Sequence, residues 1–327
     1  MVRFNKKICN FLIAMVAAFS GFVIGSVRCK AIDLEDGFSA NPYFEVSNDG
    51  VLMSYSGTSE TVVIPENVRS ISFGVFMDHS EIKNVKFPKN LVEVNECAFY
   101  GCDGLKKIIL PDGLTHIGRL AFGNCEFLQE LFIGKNVTDM LELITYGCPN
   151  LEKISVDPDN AVYASVDGIL YSKSLDTLIS CPQNHIGRVV ILDSVVTIKE
   201  YAFFDCNKIE EVVMGSSVKY IDEASFYGCK NLKKINLSGE VKKVRSYSFA
   251  ECEALTDVLL GKNMNYVGQG AFFKCPNLKT ITFLTSEVGF GEDVFAEGGE
   301  QLTICASENS SAHTYAQNHA HNFELIH

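Results

Sequence analysis

Phenylalanine returns every 23 residues along most of this chain, and few folds can satisfy that spacing. Phe76, Phe99 and Phe122 form one run, and Phe203, Phe226, Phe249, Phe272 and Phe295 form a second. A cysteine stands three residues after most of them: Cys102, Cys125, Cys206, Cys229, Cys252 and Cys275. Cys148 keeps the beat three residues after Thr145, where the aromatic ring has been lost. A period of about 20–30 residues marks a solenoid, because a unit that short cannot bury its apolar face except against its neighbours. Such a chain presents a surface and needs no catalytic pocket.

One unit reads Ala98-Phe99, Cys102, Leu105-x-x-Ile108-x-Leu110-Pro111, then Gly113-Leu114-x-x-Ile117-Gly118. The end of Leu-x-x-Ile-x-Leu alternates apolar and polar, the period-2 pattern of a half-buried strand. Copies run Ile82/Val85/Phe87, Leu128/Leu131/Ile133, Leu151/Ile154/Val156, Ile209/Val212/Met214, Leu232/Ile235/Leu237, Leu255/Val258/Leu260 and Leu278/Ile281/Phe283. Pro88, Pro111, Gly134, Gly215 and Gly261 end several of them in turns. A shorter β-like stretch follows, as at Thr115-His116-Ile117 and Lys219-Tyr220-Ile221, and small residues then predict one turn of helix before the next Phe. Stacked at the ~4.8 Å strand spacing, about ten coils would give a rod or gentle arc of roughly 45–50 Å.

The Ala-Phe-x-x-Cys core, followed by Leu-x-x-Ile-x-Leu-Pro, resembles the BspA-type leucine-rich repeat family. The resemblance runs from about Thr61 to Leu302. It implies a leucine-rich-repeat-like solenoid, mainly parallel β with short helical turns. It also implies an exported or surface-exposed protein, since some members are adhesins. Two departures stand out. Ile144-Thr145 replaces Ala-Phe in one coil, and the 58 residues from Thr145 to Phe203 hold one coil plus an insertion.

That insertion carries two β-like runs, Ile169-Leu170-Tyr171 and Leu178-Ile179, separated by Lys173 to Asp176, with an earlier turn at Asp167-Gly168. A near copy, Tyr43-Phe44 then Asp49-Gly50-Val51-Leu52, stands at the amino end. The expected organisation is a signal peptide at 1–31, a β-hairpin cap at 32–65 and a first repeat array at 66–154. A hairpin insertion at 155–187, a second array at 188–300 and a carboxy-terminal cap at 301–327 complete it. Capped ends stop solenoids from stacking end to end, so a monomer is expected.

The first 31 residues place Arg3, Lys6 and Lys7 before an uncharged apolar stretch from Phe11 to Val27, the layout of a cleaved secretory signal, with a membrane anchor as the alternative. Cleavage after Ala31 would remove Arg3, Lys6, Lys7, Arg28 and Lys30 but no acid, taking the net charge from −12 to −17. So acidic a chain without a basic stripe is a poor fit to nucleic acid or, once the signal is removed, to an anionic membrane. The expected location is secreted or cell-surface.

Candidates for chemistry are few. The seven periodic cysteines occupy one repeat position, where parallel Cβ vectors disfavour bridging, so buried thiols donating weakly to backbone carbonyls are expected. Cys97, Cys181 and Cys305 fall off that position and are the candidates for reactive or bridging thiols. His313, His319, His321 and His327 read as a solvated tail and not as a metal site. No phosphate loop, zinc spacing or nucleophile elbow is present, so neither cofactor nor catalysis is expected.

The functional expectation rests on outward-facing strand positions. One column runs Lys86, Ile109, Phe132, Ser155, then Val213, Asn236, Leu259, Thr282. Its companion runs Asn84, Lys107, Glu130, Lys153, then Glu211, Lys234, Asp257, Thr280. Lys107, Ile109, Glu130, Phe132, Lys153, Val213 and Leu259 are the candidate binding residues, an apolar centre with a charged rim. The expected partner is a protein or a glycan on a host or neighbouring cell. A structural spacer or cell-envelope component without a specific ligand is the alternative.

Overall fold

The computed structural model describes residues 42–326 apart from 238 and 300, so the expected signal segment lies outside the described residues. The chain from residue 42 winds as a parallel β-solenoid of about 12 turns with a 23-residue period. That is more windings than the ten expected. Gly187–Val190 and Asn322–Leu325 each supply a strand that the repeat pattern alone does not mark.

Two stacks of strands line the solenoid, each broken into separate sheets. The principal one contains Thr61–Val63, Asn84–Lys86, Lys107–Ile109, Glu130–Ile133 and Lys153–Val156, then Gly187–Val190 and the strands after it to Asn322–Leu325. Pairing is parallel and stepped by one repeat, with Lys107 opposite Glu130 and Glu130 opposite Lys153. The second ladder is built mostly of two-residue strands such as His116–Ile117 and Tyr220–Ile221. At its amino end, Phe44–Val46 and Val51–Tyr55 pair antiparallel, and the latter continues in parallel to Ser70–Ile71.

The segment expected to be a turn of helix is a staircase of tight turns instead. Alternate amides close turns on themselves (Tyr100 N to Cys97 O, 3.0 Å; Cys102 N to Phe99 O, 3.3 Å). The intervening ones donate to the next winding (Cys97 N to Arg119 O, 3.0 Å; Phe99 N to Ala121 O, 2.8 Å; Gly101 N to Gly123 O, 2.9 Å). From Cys97 to Cys102 every amide is thereby satisfied, half locally and half between windings. The arrangement needs left-handed backbone twice per winding. One series is Gly74, Cys97, Leu120, Leu143, Tyr201, Ala224, Tyr247, Gly270 and Asp293, all at positive φ. The other, four residues later, is Asp78, Gly101, Asn124, Gly147, Asp205, Gly228, Glu251, Lys274 and Glu297. A left-handed residue breaks an α-helix, which is why none forms. In the second series Asp or Asn alternates with Gly through the first six windings. A Cβ on Gly101 or Gly228 would meet the carboxylate of Asp78 or Asp205 leaning over from the preceding winding.

The interior is an aromatic column. Ring centroids are 4.7 Å and 5.6 Å apart along Phe76–Phe99–Phe122. They are 4.6, 5.0, 5.3 and 5.7 Å apart from Phe203 through Phe295. Six of the seven periodic thiols donate to the carbonyl of the Phe one winding back, as in Cys102 to Phe76 (3.0 Å), Cys125 to Phe99 (3.2 Å) and Cys229 to Phe203 (3.1 Å), while Cys206 reaches Cys181 O at 3.7 Å. The 23-residue clock therefore sets two contacts, ring on ring and thiol on carbonyl.

Between the two Phe runs the core divides. Tyr163–Val166, Ile169–Ser172 and Thr177–Ser180 form an antiparallel meander, turning at Asp167–Gly168, both at positive φ. Buried Ile169 and Tyr171 join the carboxy-terminal core, whereas Leu170 joins the amino-terminal one. Successive side chains of a strand point to opposite faces, so a single strand plugs both columns. Buried Asn160 opens the meander: its amide donates to Gly134 O and Val137 O (both 2.9 Å) and its carbonyl accepts from Val162 N and Tyr163 N. Cys181 takes the Phe position of this winding, its amide donating to Ala202 O at 2.7 Å.

Removing a ring from the middle of the column should cost more than removing one at its end. Phe226→Ala is expected to lower unfolding stability by about 3–5 kcal/mol in denaturant titration. Phe295→Ala, at the carboxy-terminal end of the Phe stack, should cost measurably less.

Candidate recognition face

The outer face of the principal ladder places the expected binding residues in rows one winding apart. In the first array, Lys107, Glu130 and Lys153 share one row, and Ile109, Phe132 and Ser155 share the next. Strand alternation turns Ile108, Leu131 and Ile154 into the core, which leaves these rows outward. Ile109 is 59 % exposed although its neighbours in sequence are buried. Lys107 and Glu130 form an ion pair of 2.6 Å. The Lys107 ammonium holds the Glu130 carboxyl below its usual range, with Lys153 adding to the effect. Exposed pairs of this kind contribute at most about 1 kcal/mol, so the pair orients charge more than it stabilises.

Val213 and Leu259 lie apart from these five. They belong to the seven-stranded sheet of the second array, beyond the meander, and the expected single stripe is divided into two patches. In the second patch Asn236 sits opposite Leu259 and Val190 opposite Val213. Their short side chains leave an open trough of about 840 Å³, lined also by Glu211, Lys234 and Asp257. Val190 (58 % exposed) and Ile186 (72 %) flank it and are absent from the sequence-based candidates. The signal for them was there in the apolar residues around Gly187, but the repeat spacing is broken at that winding.

The thiols are placed for packing. No disulfide links the ten described cysteines, and all ten are buried, including Cys97, Cys181 and Cys305. Burial pushes the thiols of Cys102, Cys148, Cys206, Cys229 and Cys252 far above their ordinary range, and that of Cys275 up to about 12. A protonated, enclosed thiol is a poor nucleophile. Of the carboxy-terminal histidines, His327 lies outside the described residues, His319 is exposed as a solvated tail would be, and His313 and His321 are half-buried. His319 stacks on Tyr315 at 4.0 Å and His321 meets Phe295 edge-on at 5.8 Å, closing the end of the aromatic column. Among the described residues no cluster of three or more His, Cys, Asp or Glu is placed to hold a metal ion.

On the turn side, Tyr146–Phe204 (5.2 Å) and Phe204–Tyr227 (5.0 Å) join the two arrays across the divided core. Asp205 lies beneath this column. Burial first, then the charge of Glu251, pushes its carboxyl up to about 6, with Lys230 opposing.

The family description of the BspA type leucine rich repeat region matches residues 53–165 and 181–299, in six copies. The chain belongs to the BspA-type leucine-rich repeat family. Among solved structures it is similar to the pneumococcal vaccine antigen PcpA, with a TM-score of 0.64 at 18% identity over 82% of this chain and 79% of that one. It is also similar to a leucine-rich repeat protein from Eubacterium ventriosum, with a TM-score of 0.59 at 20% identity over 78% of this chain and 92% of that one. At these identities the likeness concerns the fold. No curated protein shows a significant sequence match to the chain.

Two measurements check the site chemistry. Thiol labelling of the native protein near pH 8 should leave the seven periodic cysteines unmodified until the chain unfolds. For Asp205, a carboxyl raised above its unfolded value favours the folded state at acid pH, and that contribution is lost as pH rises through about 6. Asp205→Asn should therefore be more stable than the parent at pH 7.5 by on the order of 2 kcal/mol, and the difference should vanish below about pH 3.

Proposed function

We propose that this protein is a secreted or cell-surface, non-enzymatic recognition protein that engages a protein or glycan through the outer face of its principal sheet. The observation that carries the reading is the pair of rows at Lys107–Glu130–Lys153 and Ile109–Phe132. A 59 % exposed isoleucine beside a half-buried phenylalanine and an oriented ion pair forms an apolar centre with a charged rim. The scaffold supports it. Ordered main-chain ladders hold every row at a fixed spacing, so little conformational freedom is lost on binding. Family membership supports a surface role, and the exported amino terminus expected from the sequence agrees with it. Among the described residues no helix is long and apolar enough to cross a membrane.

Phe132→Glu tests the reading directly. The variant should lose at least about tenfold in affinity for a partner captured from host or neighbouring-cell surfaces, while its unfolding midpoint stays at the parental value. Undiminished binding, or loss of binding together with loss of fold, would remove the face from consideration.

A further inference from the structure

The two patches of the sheet face carry opposite charge sequences on the same spacing. The first array reads Lys107, Glu130, Lys153, and the second reads Glu211, Lys234, Asp257. Beside them the first array presents large apolar groups, Ile109 and Phe132, where the second presents the trough around Asn236 and Leu259. Charge and shape are thus complementary between two halves of one chain that lie on the same face and cannot reach each other. We infer that the partner of this face is a second copy of the chain, docked face to face across a two-fold axis parallel to the strands.

The geometry selects that axis. A rotation about the strand direction keeps charged row against charged row and apolar row against apolar row, and it reverses the order of windings. The Asp167–Gly168 turn, whose Gly168 O accepts from Ile154 N at 2.9 Å, and then the strand Gly187–Val190 separate the strand of Lys153 from that of Glu211. Centring the axis midway between the strands of Lys153 and Glu211 sets Lys153 against Glu211, Glu130 against Lys234 and Lys107 against Asp257, all at once and twice over. The same operation brings Ile109 to Leu259 and Phe132 to the gap over Asn236. The winding of Gly187–Val190 then lies close to the axis, and it carries Ile186 (72 % exposed) and Val190 (58 % exposed), among the most exposed large apolar residues described. Arg188 also lies there, engaged within its own chain by Glu211 at 3.4 Å. The alternative axis, along the solenoid, would set each array against its own copy and oppose Lys107 to Lys107, Glu130 to Glu130 and Lys153 to Lys153. The result is an isologous, closed dimer with an apolar centre between charged flanks.

This inference rests on the face proposed above and names its partner, in place of the monomer expected from the capped ends. Sedimentation of the full chain tests it. A monomer–dimer equilibrium should appear below about 100 μM and weaken as salt is raised. Lys107→Glu with Lys153→Glu, and separately Glu211→Lys with Asp257→Lys, should each raise the dimer Kd at least tenfold. An equimolar mixture of the two double variants should dimerise again, because the reversed array of each then matches the other. Circular dichroism and unfolding midpoints of the parent and variants serve as the folding control. Should either double variant lose its fold, Ile186→Asp on the axis replaces it and should also dissociate the dimer. A parent that stays monomeric throughout the range overturns the inference, as do reversals without effect, a mixture that fails to re-associate or assembly beyond the dimer. If the chain remains monomeric yet Phe132→Glu abolishes capture of another protein or glycan, the recognition face stands and self-pairing falls.

Discussion

Main-chain hydrogen bonding from each winding to the next is the constraint on which the rest of this structure depends. It holds only if every winding has the same path length and the same internal width. A benzyl ring stacked 4.6–5.7 Å from its neighbour sets that width. A thiol bonded to the preceding Phe carbonyl sets the turn beside it. Cysteine suits the place because it is small, apolar and able to donate weakly to a buried acceptor. A larger side chain would force the windings apart, and an alanine would leave the carbonyl only its local backbone donor, such as Cys102 N at Phe99 O.

The same constraint explains the unusual backbone. Turning the chain back on itself within 23 residues requires two left-handed residues per winding, and several are large, such as Leu120, Tyr201 and Tyr247. Each such residue costs on the order of 1 kcal/mol or more, offset by the winding-to-winding bonds that it aims. Where the chain cannot hold the pattern, the meander at 163–180 supplies a strand that fills two cores, and the aromatic contacts of Tyr146, Phe204 and Tyr227 carry the stack across. The interruption divides the outer face into two patches of opposite charge order. The packing irregularity and the division of the proposed recognition face thus share one origin.

Much of the fold was legible in the sequence because the period is a direct statement of geometry. Phe and Cys at fixed spacing imply equivalent interior positions, and Leu-x-x-Ile-x-Leu implies a strand with known inward and outward sides. The rows of Lys107, Glu130, Lys153, Ile109 and Phe132 follow from that alternation. The turn staircase was not legible as such, since small residues before Phe99 or Phe122 are compatible with helix and with turns alike. The choice is made by the neighbouring winding, whose carbonyls compete for the amides. The ring contacts of His319 and His321 were not legible for a similar reason. Sequence polarity says nothing of the open end of an aromatic stack waiting to be covered.

By itself, then, the sequence determined the repeat length, the inward residues and the family, because each of these is a local pattern multiplied. Tertiary structure alone decided that Val213 and Leu259 stand on a separate patch, that Ile186 and Val190 join the exposed surface, and that burial raises the Asp205 carboxyl. Those facts depend on which windings are neighbours across a broken period. No spacing along the chain encodes that; it is set by how two cores close around one shared strand.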